Sequence, residues 1–539
     1  MTIAEYIAER LRRAGVKFVF GIPGGPSIPY MEAFRNAGIE FILVSNEASA
    51  GIMADVTARL SGNPGVCHAT FGPGATNIST GVGEAFLDRS PVIVFTSEMP
   101  EDMIHRTTQM NIDHQQLFAP VTKATYRFNP ENVKETIDAA LSLCCEEYPG
   151  PIHIGLPSGI SDIELPPEIS DIDKDESVEP VKQNKTVESH NDIRGILSAI
   201  ERARRPLLAI GLTAQRLGLS KQVNELLERI MMPVVLTPMA KGIVSEDHPC
   251  YAGVLFHSLS DYIEDIYEKT DLVIGLGYDQ VEFNYEAWVP EVPVLHFDTK
   301  ESDLPPGENY IRFTGAPDEW FKMLEKLNPG SILFDQSSVR AVRDEMEAVF
   351  IGFTNHFGPA AALRILQEEL PDDVLITSDV GSHLHLLGQF WKTKGRNNLF
   401  MTNGWSGMGF GLPAALAVQL NNPDSTVVCI TGDGGFLMMA GEIVTARRYN
   451  LPVIVVVFSD GELNLIKVKQ SWKDIQPYAT TLYNGDLFGS DLFFGVKVLP
   501  ADSSETMRKA IIEALASDEP VIINAVIDPE DYRWLIVKR

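Results

Sequence analysis

Basic residues are scarce in this chain. Its 539 residues carry 44 Lys and Arg against 73 Asp and Glu, a formal net charge of −29. Phosphate binding needs concentrated cations, so nucleic acid and anionic membrane are excluded as main partners. Long apolar runs are missing too: no uninterrupted span approaches the roughly twenty residues of a membrane helix. There are five cysteines (Cys67, Cys144, Cys145, Cys250 and Cys429), scattered without metal-ligand spacing. That usage excludes a zinc module or a disulfide framework and suits a reducing cytosol. The opening Met1-Thr2-Ile3-Ala4-Glu5 has no basic-plus-apolar signal region, so a cytoplasmic protein is expected. No short repeat is visible, which sets solenoids and propellers aside.

What is present is ordinary for a globular enzyme: 45% hydrophobic and 22% charged residues. The length allows two to four domains. Helical and strand patterns alternate, with glycine-rich turns at strand ends, which predicts doubly wound parallel sheets. Three α/β units are expected: 1–160, 192–327 and 340–539, joined by linkers at 161–191 and 328–339. The first linker is rich in Asp, Glu and Pro. The first and third units share one β-α rhythm, as paired domains of one architecture would.

One stretch organises the reading. Thr431-Gly432-Asp433-Gly434-Gly435-Phe436 leads through an amphipathic segment to the apolar run Leu451–Phe458, which ends at Ser459-Asp460-Gly461-Glu462. Asp433 and Asp460 thus sit just past two predicted parallel strands, at the edge where such sheets bind ligands. Glycines admit a diphosphate close to backbone N–H groups. Two carboxylates and a backbone carbonyl, best placed at Glu462, offer hard oxygens to Mg²⁺. A lone Gly-Asp-Gly is often only a turn; the second acid after the next buried strand favours a metal-bridged diphosphate site.

This stretch resembles the thiamine diphosphate signature, and the separation of 27 residues from Asp433 to Asp460 suits it. Relatives often close the motif with Asn-Asn; Ser459-Asp460 is similar to the catabolic acetolactate synthases. Other segments carry the resemblance along nearly the whole chain. Glu47 follows a strand predicted to be buried and precedes an apolar helix. Read alone, it is a helix-start carboxylate favoured by the dipole. The resemblance implies instead that it hydrogen-bonds the cofactor's aminopyrimidine and promotes C2 deprotonation, with Asn46 where relatives often have His. Pro23-Gly24-Gly25 and the loop from Thr70 through Gly72 to Asn77 resemble the family's ring-binding loops. Val380-Gly381-Ser382-His383 is similar to the segment that holds the diphosphate, together with Gly432, Asp433, Gly434 and Gly435. Gly407-Met408 matches the segment whose Met wedges under the bent cofactor. Leu465 and Ile466 match apolar residues against the thiazolium, though one face of a buried helix would look the same. Gln109 and Gln470 match substrate-facing glutamines.

Gly277–Trp288 also resembles the catabolic synthases. The Arg-rich flavin pattern of the anabolic branch is missing, and Gly211-Leu212-Thr213-Ala214 lacks the spaced glycines of a dinucleotide site. No FAD is expected. The resemblance implies thiamine diphosphate and Mg²⁺, and a homodimer or homotetramer with active sites between subunits. The implied reaction is acetolactate synthesis, in which pyruvate loses CO₂ and the resulting enamine joins a second 2-oxo acid. A 2-oxo acid decarboxylase or aldehyde-forming carboligase on the same scaffold is the alternative. Intact Glu47 and Asp433 speak against a silent scaffold subunit, and the absent fingerprint against a nicotinamide oxidoreductase.

Overall fold

The computed structural model describes residues 1–167, 191–282, 292–301, 309–393 and 398–536. Residues 168–190 of the first predicted linker and 283–288 of the stretch after Gly277 lie outside the described residues.

Three sheets carry the chain. The first contains β1 (Phe18–Ile22), β2 (Glu40–Leu43), β3 (Gly65–Ala69), β4 (Val92–Glu98), β5 (Ala124–Arg127) and β6 (Ile152–Pro157), in the order β2-β1-β3-β4-β6-β5. The second contains β7 (Pro206–Ile210), β8 (Val234–Leu236), β9 (Tyr251–Val254), β10 (Leu272–Leu276), β11 (Val294–Asp298) and β12 (Tyr310–Thr314), in the order β12-β11-β10-β7-β8-β9. The third contains β13 (Leu375–Ser378), β14 (Leu399–Phe400), β15 (Val427–Gly432), β16 (Ile454–Ser459), β17 (Leu492–Phe493), β18 (Val496–Ala501) and β19 (Val521–Val526), in the order β14-β13-β15-β16-β19-β18-β17. The pairings are parallel apart from the antiparallel β17–β18 ribbon. This is the α/β, doubly wound architecture that the β-α rhythm predicts.

With the short β17 left out of the count, the third sheet repeats the first sheet's order, 2-1-3-4-6-5. The shared rhythm of the two units is therefore a shared topology. The second sheet runs 3-2-1-4-5-6, the order of dinucleotide-binding sheets. Central strands such as β3, β4, β7, β10 and β16 are buried along their whole length. Parallel sheets covered on both faces require such continuous apolar runs rather than alternation.

Contacts divide the chain into two compact units. One gathers the first sheet and its helices with Gly404–Asp424 and Met439–Leu451; the other holds the second and third sheets. Gly407 and Met408 therefore belong, by contacts, to the first unit, although they lie inside the sequence of the third predicted one. The helix Gly411–Asn421, buried along nearly its whole length, packs on the helix Glu47–Ser61, which draws that segment across. The predicted linker at 328–339 overlaps regular elements. It contains the 3-10 turn Pro329–Ser331, and the helix Gln336–Gly352 starts inside it because Asp335 caps it, accepting from Ser337 N–H at 3.0 Å.

The strand before Glu47 corrects an expectation. β2 is an edge strand with one buried residue in four, so a buried strand is not what shelters Glu47. Helix packing does. The helices Glu47–Ser61 and Pro73–Leu87 meet at Gly51 and Gly81, where a Cβ on Gly51 would lie 2.7 Å from Gly81 backbone. That approach brings the first turn of each helix, and with them Glu47 and Asn77, together.

Candidate active site

In the third sheet, three neighbouring parallel strands end in acids: β13 at Asp379, β15 at Asp433 and β16 at Asp460. Chain direction across the sheet reverses between β13 and β15, the switch point where open α/β sheets bind ligands. Glycines line this place for steric reasons. A Cβ on Gly435 would fall 2.6 Å from Asp379 Oδ1, and one on Gly381 would fall 2.9 Å from the His383 ring. Gly432 is looser, its would-be Cβ 3.4 Å from His383 Nδ1.

The two metal-candidate carboxylates are tightly organised. Asp433 Oδ1 accepts from Gly434 N–H at 2.8 Å. Its Oδ2 accepts from Asp460 N–H at 3.1 Å, Gly461 N–H at 2.7 Å and the Tyr483 hydroxyl at 2.9 Å. Asp460 accepts from Glu462 N–H at 2.9 Å and the Asn464 amide at 3.1 Å. Burial, and then the charge of Asp433, push the Asp460 carboxyl up to about 7. A buried carboxyl pushed up beside a second one suits a bound cation, whose charge favours the ionised form. Glu462 pairs with Thr481 in an isolated bridge whose hydrogen bonds run from Leu463 to Thr480 and from Leu482 to Gly461. The bridge therefore makes no use of the Glu462 carbonyl, while its side chain faces Lys467 and Thr481. One carbonyl and two carboxylates make a hard-oxygen set that fits a divalent cation.

Beside the acids, the helix Ser382–Phe390 starts at Ser382. Ser382 Oγ and His383 Nε2 are buried without a hydrogen-bond partner among the described residues. Burial pushes the His383 imidazole down to about 4. Two orphaned polar atoms at a helix N-terminus, each costing about 1–3 kcal/mol unpaired, fit an anion such as a diphosphate. Val380 N–H donates to Asp379 Oδ1 at 2.7 Å, which fixes the turn before them.

Leu465 packs partly buried against the core, whereas Ile466 is 46% exposed. Gln470 is tied to the segment that follows its helix. Its amide donates to the Tyr478 carbonyl at 3.0 Å and accepts from Tyr478 N–H at 3.1 Å. These two backbone bonds let Gln470 brace the 470–478 loop.

In the first unit the corresponding switch point lies between β1 and β3. There Pro23-Gly24-Gly25 approaches the loop after β3: a Cβ on Gly24 would fall 2.4 Å from Thr70 Oγ1. Gly72 has φ +65°, and a Cβ on it would meet the Met110 carbonyl at 2.9 Å. Glu47, 8% exposed, is the first residue of its helix, and Asn46 caps that helix by accepting from Ala48 N–H at 2.9 Å. Asn77 donates its amide to Glu47 Oε2 at 3.0 Å, while Oε1 lies above Gly74, whose would-be Cβ is 3.4 Å away.

The turn is propped by a residue that the sequence reading missed. Glu442 Oε1 accepts the N–H groups of Ser45 and Asn46, each at 3.0 Å, and Oε2 accepts from Thr445 at 2.7 Å. Burial raises its carboxyl. Glu442 lies 395 positions from Glu47, so only its place on the amphipathic segment after Gly-Asp-Gly could have drawn notice. Gln109 is exposed on the loop before Asp113, and Met408 is half-buried on the segment after Asn403.

A second cluster, Glu98, His114 and His153, brings ligand-type atoms within 4.8 Å of one another. Protein groups engage much of it, although His153 Nδ1 is buried without a hydrogen-bond partner among the described residues. Thr96 Oγ1 bridges the two imidazoles at 2.8 and 2.7 Å, and Arg127 Nε faces Glu98 at 3.0 Å. In the second sheet, the switch point between β7 and β10 is filled from within. Glu282 Oε2 accepts Leu212 N–H at 2.7 Å and lies 2.6 Å from where a Cβ on Gly211 would be. A carboxylate thus sits where dinucleotide-binding sheets hold a diphosphate. Among the described residues no helix is long and apolar enough to cross a membrane.

Comparison with known proteins agrees with this geometry. Three family models match in order: the N-terminal TPP binding domain of thiamine pyrophosphate enzymes over residues 1–117, their central domain over 193–311, and their C-terminal TPP binding domain over 379–525. The chain is 31% identical to a probable acetolactate synthase large subunit of Methanocaldococcus jannaschii, across 98% of this chain and 92% of that protein. It is 28% identical to the acetolactate synthase isozyme 2 large subunit of Escherichia coli, across 100% and 97%. With the acetolactate synthase of Bacillus subtilis the identity is 26%, across 98% and 93%.

Proposed function

This chain belongs to the thiamine pyrophosphate enzymes, as an acetolactate synthase-like member, and from that premise we propose that it decarboxylates pyruvate and joins the two-carbon unit to a second 2-oxo acid. The observation that carries the reading is the pairing of Asp433 with Asp460 beside the orphaned Ser382 and His383. Thiamine diphosphate, when bound, supplies the nucleophilic carbon and the electron sink for loss of CO₂.

The rest is work for the chain's own side chains. Asp433, Asp460 and the Glu462 carbonyl hold Mg²⁺. Ser382 and His383 donate to the diphosphate, which the glycines at 381, 432, 434 and 435 admit closely. Pro23, Gly24, Gly25, Thr70, Gly72, Asn77 and Gly407 would serve the ring end of the cofactor, and Val380 would serve the diphosphate end. Glu47 would offer Oε1 to the cofactor's ring, because Asn77 donates to Oε2. Leu465 and Ile466 would help keep water from the cofactor's reacting carbon, which favours loss of the substrate's charge, and Met408 would wedge under the bent cofactor. Gln109 orients the acceptor acid, while Gln470 acts through the loop it braces. Glu282 supports an enzyme without flavin, since its charge opposes a diphosphate in the central sheet. The protein works in the cytoplasm as a homodimer or homotetramer, with Glu47 of one copy serving the diphosphate site of another.

The test is product analysis with single-residue controls. Asp433→Ala should abolish Mg²⁺-dependent binding of thiamine diphosphate and all pyruvate turnover, measured by calorimetry and CO₂ release. Unchanged cofactor binding in that variant overturns the site.

A further inference from the structure

The two oxygens of Asp433 are not equivalent. Oδ2 receives three hydrogen bonds, from Asp460 N–H, Gly461 N–H and the Tyr483 hydroxyl, at 3.1, 2.7 and 2.9 Å. Oδ1 receives one, from Gly434 N–H at 2.8 Å. Three donors leave no direction on Oδ2 for a cation, whereas Oδ1 keeps a lone pair. The backbone donors come with the fold of the loop after β16. Tyr483 arrives separately, on the segment that pairs Thr480 and Leu482 with Leu463 and Gly461.

We infer that Tyr483 is a positioning residue that restricts Asp433 to one-oxygen coordination and so selects a small octahedral cation over a larger one. Mg²⁺ takes single carboxylate oxygens in a near-ideal octahedron, whereas Ca²⁺ takes six to eight oxygens and readily accepts both from one carboxylate. Freeing Oδ2 from Tyr483 weakens the hold on Asp433 and relaxes the penalty against Ca²⁺. The inference rests on the proposed cation site at Asp433 and Asp460. No sequence motif includes Tyr483, which stands 50 positions after Asp433.

The experiment is calorimetric titration of MgCl₂ and, separately, CaCl₂ into the full chain with excess thiamine diphosphate. Tyr483→Phe keeps the ring and removes only the hydroxyl. The expected result is roughly a tenfold rise in the Mg²⁺ Kd, the usual loss for a residue that orients a ligand, with a smaller rise for Ca²⁺, so that the Ca²⁺-to-Mg²⁺ Kd ratio narrows. Thr481→Val, which cuts a bond of the same segment to the Glu462 side chain, should leave both constants unchanged. Wild-type constants in Tyr483→Phe overturn the inference. So does an equal shift in Thr481→Val, which would assign the effect to the segment's order. A wild-type protein that binds neither cation overturns the site itself.

Discussion

Replacing Glu47 by Gln keeps its size and reverses its polarity. The Asn77 amide donates to Glu47 Oε2 at 3.0 Å. In Glu47→Gln only the amide oxygen can accept that donation, since two NH₂ groups face to face have nothing to share. The new NH₂ must then occupy the place of Oε1 above Gly74. An acceptor able to share a proton becomes a donor that cannot. Positioned general acid–base groups contribute about 10²–10⁴-fold, which corresponds to roughly 3–5 kcal/mol at 1.36 kcal/mol per tenfold. The assay is hydrogen–deuterium exchange at C2 of protein-bound thiamine diphosphate, followed by quenched-flow NMR, with cofactor affinity measured in parallel. The exchange rate should fall by at least about a hundredfold while affinity stays within a few-fold. Adding Asn77→Asp offers the Gln amide an acceptor and turns its oxygen back toward the ring, so part of the loss should be recovered. Exchange within tenfold of wild type in the single variant would refute the role of Glu47.

Four further outcomes are expected. Gly435→Ala places a methyl 2.6 Å from the buried Asp379 carboxylate; overpacking of about 1–3 kcal/mol should weaken thiamine diphosphate about 5- to 150-fold, measured by fluorescence titration. Because the metal-free Asp460 carboxyl is pushed up to about 7, a cation must displace its proton below that pH. Mg²⁺ affinity should therefore be full above pH 8 and fall up to about tenfold per unit below 7, as calorimetry across pH 6–8 would show; a flat profile contradicts it. Arg59 faces Asp55 and Asp88 in the first unit, so Arg59→Met leaves two buried acids uncompensated and should cost about 3–5 kcal/mol, seen as a lower urea midpoint. Glu442→Ala frees the N–H groups of Ser45 and Asn46 and should lower turnover while leaving Mg²⁺ affinity alone, read from kcat and a metal titration.

Much of this was legible in the chain because its signals are local. β15 and β16 announce themselves as continuous buried runs, each closed by an acid, and Gly435 stands where Asp379 leaves no room for a side chain. The residues that were hidden act at a distance. Glu442 props the Glu47 turn from 395 positions away, and Tyr483 reaches Asp433 from a segment without periodicity. Neither lies in a motif, so only folding reveals them. Gln470 shows the same limit from the other side: a motif position cannot reveal that its amide bonds backbone eight residues on. The connection at 328–339 overlaps a helix, because one capping aspartate starts it there. β2 looked buried because its residues are apolar, yet an edge strand has a neighbour on one side only.

The most direct measurement is product analysis of the purified protein with thiamine diphosphate, Mg²⁺ and pyruvate, with and without 2-ketobutyrate. Acetolactate, detected as acetoin after acid treatment and dependent on both cofactor and cation, is the predicted result. Acetaldehyde as the sole product, or CO₂ release that ignores thiamine diphosphate, would contradict the proposed carbon–carbon bond formation.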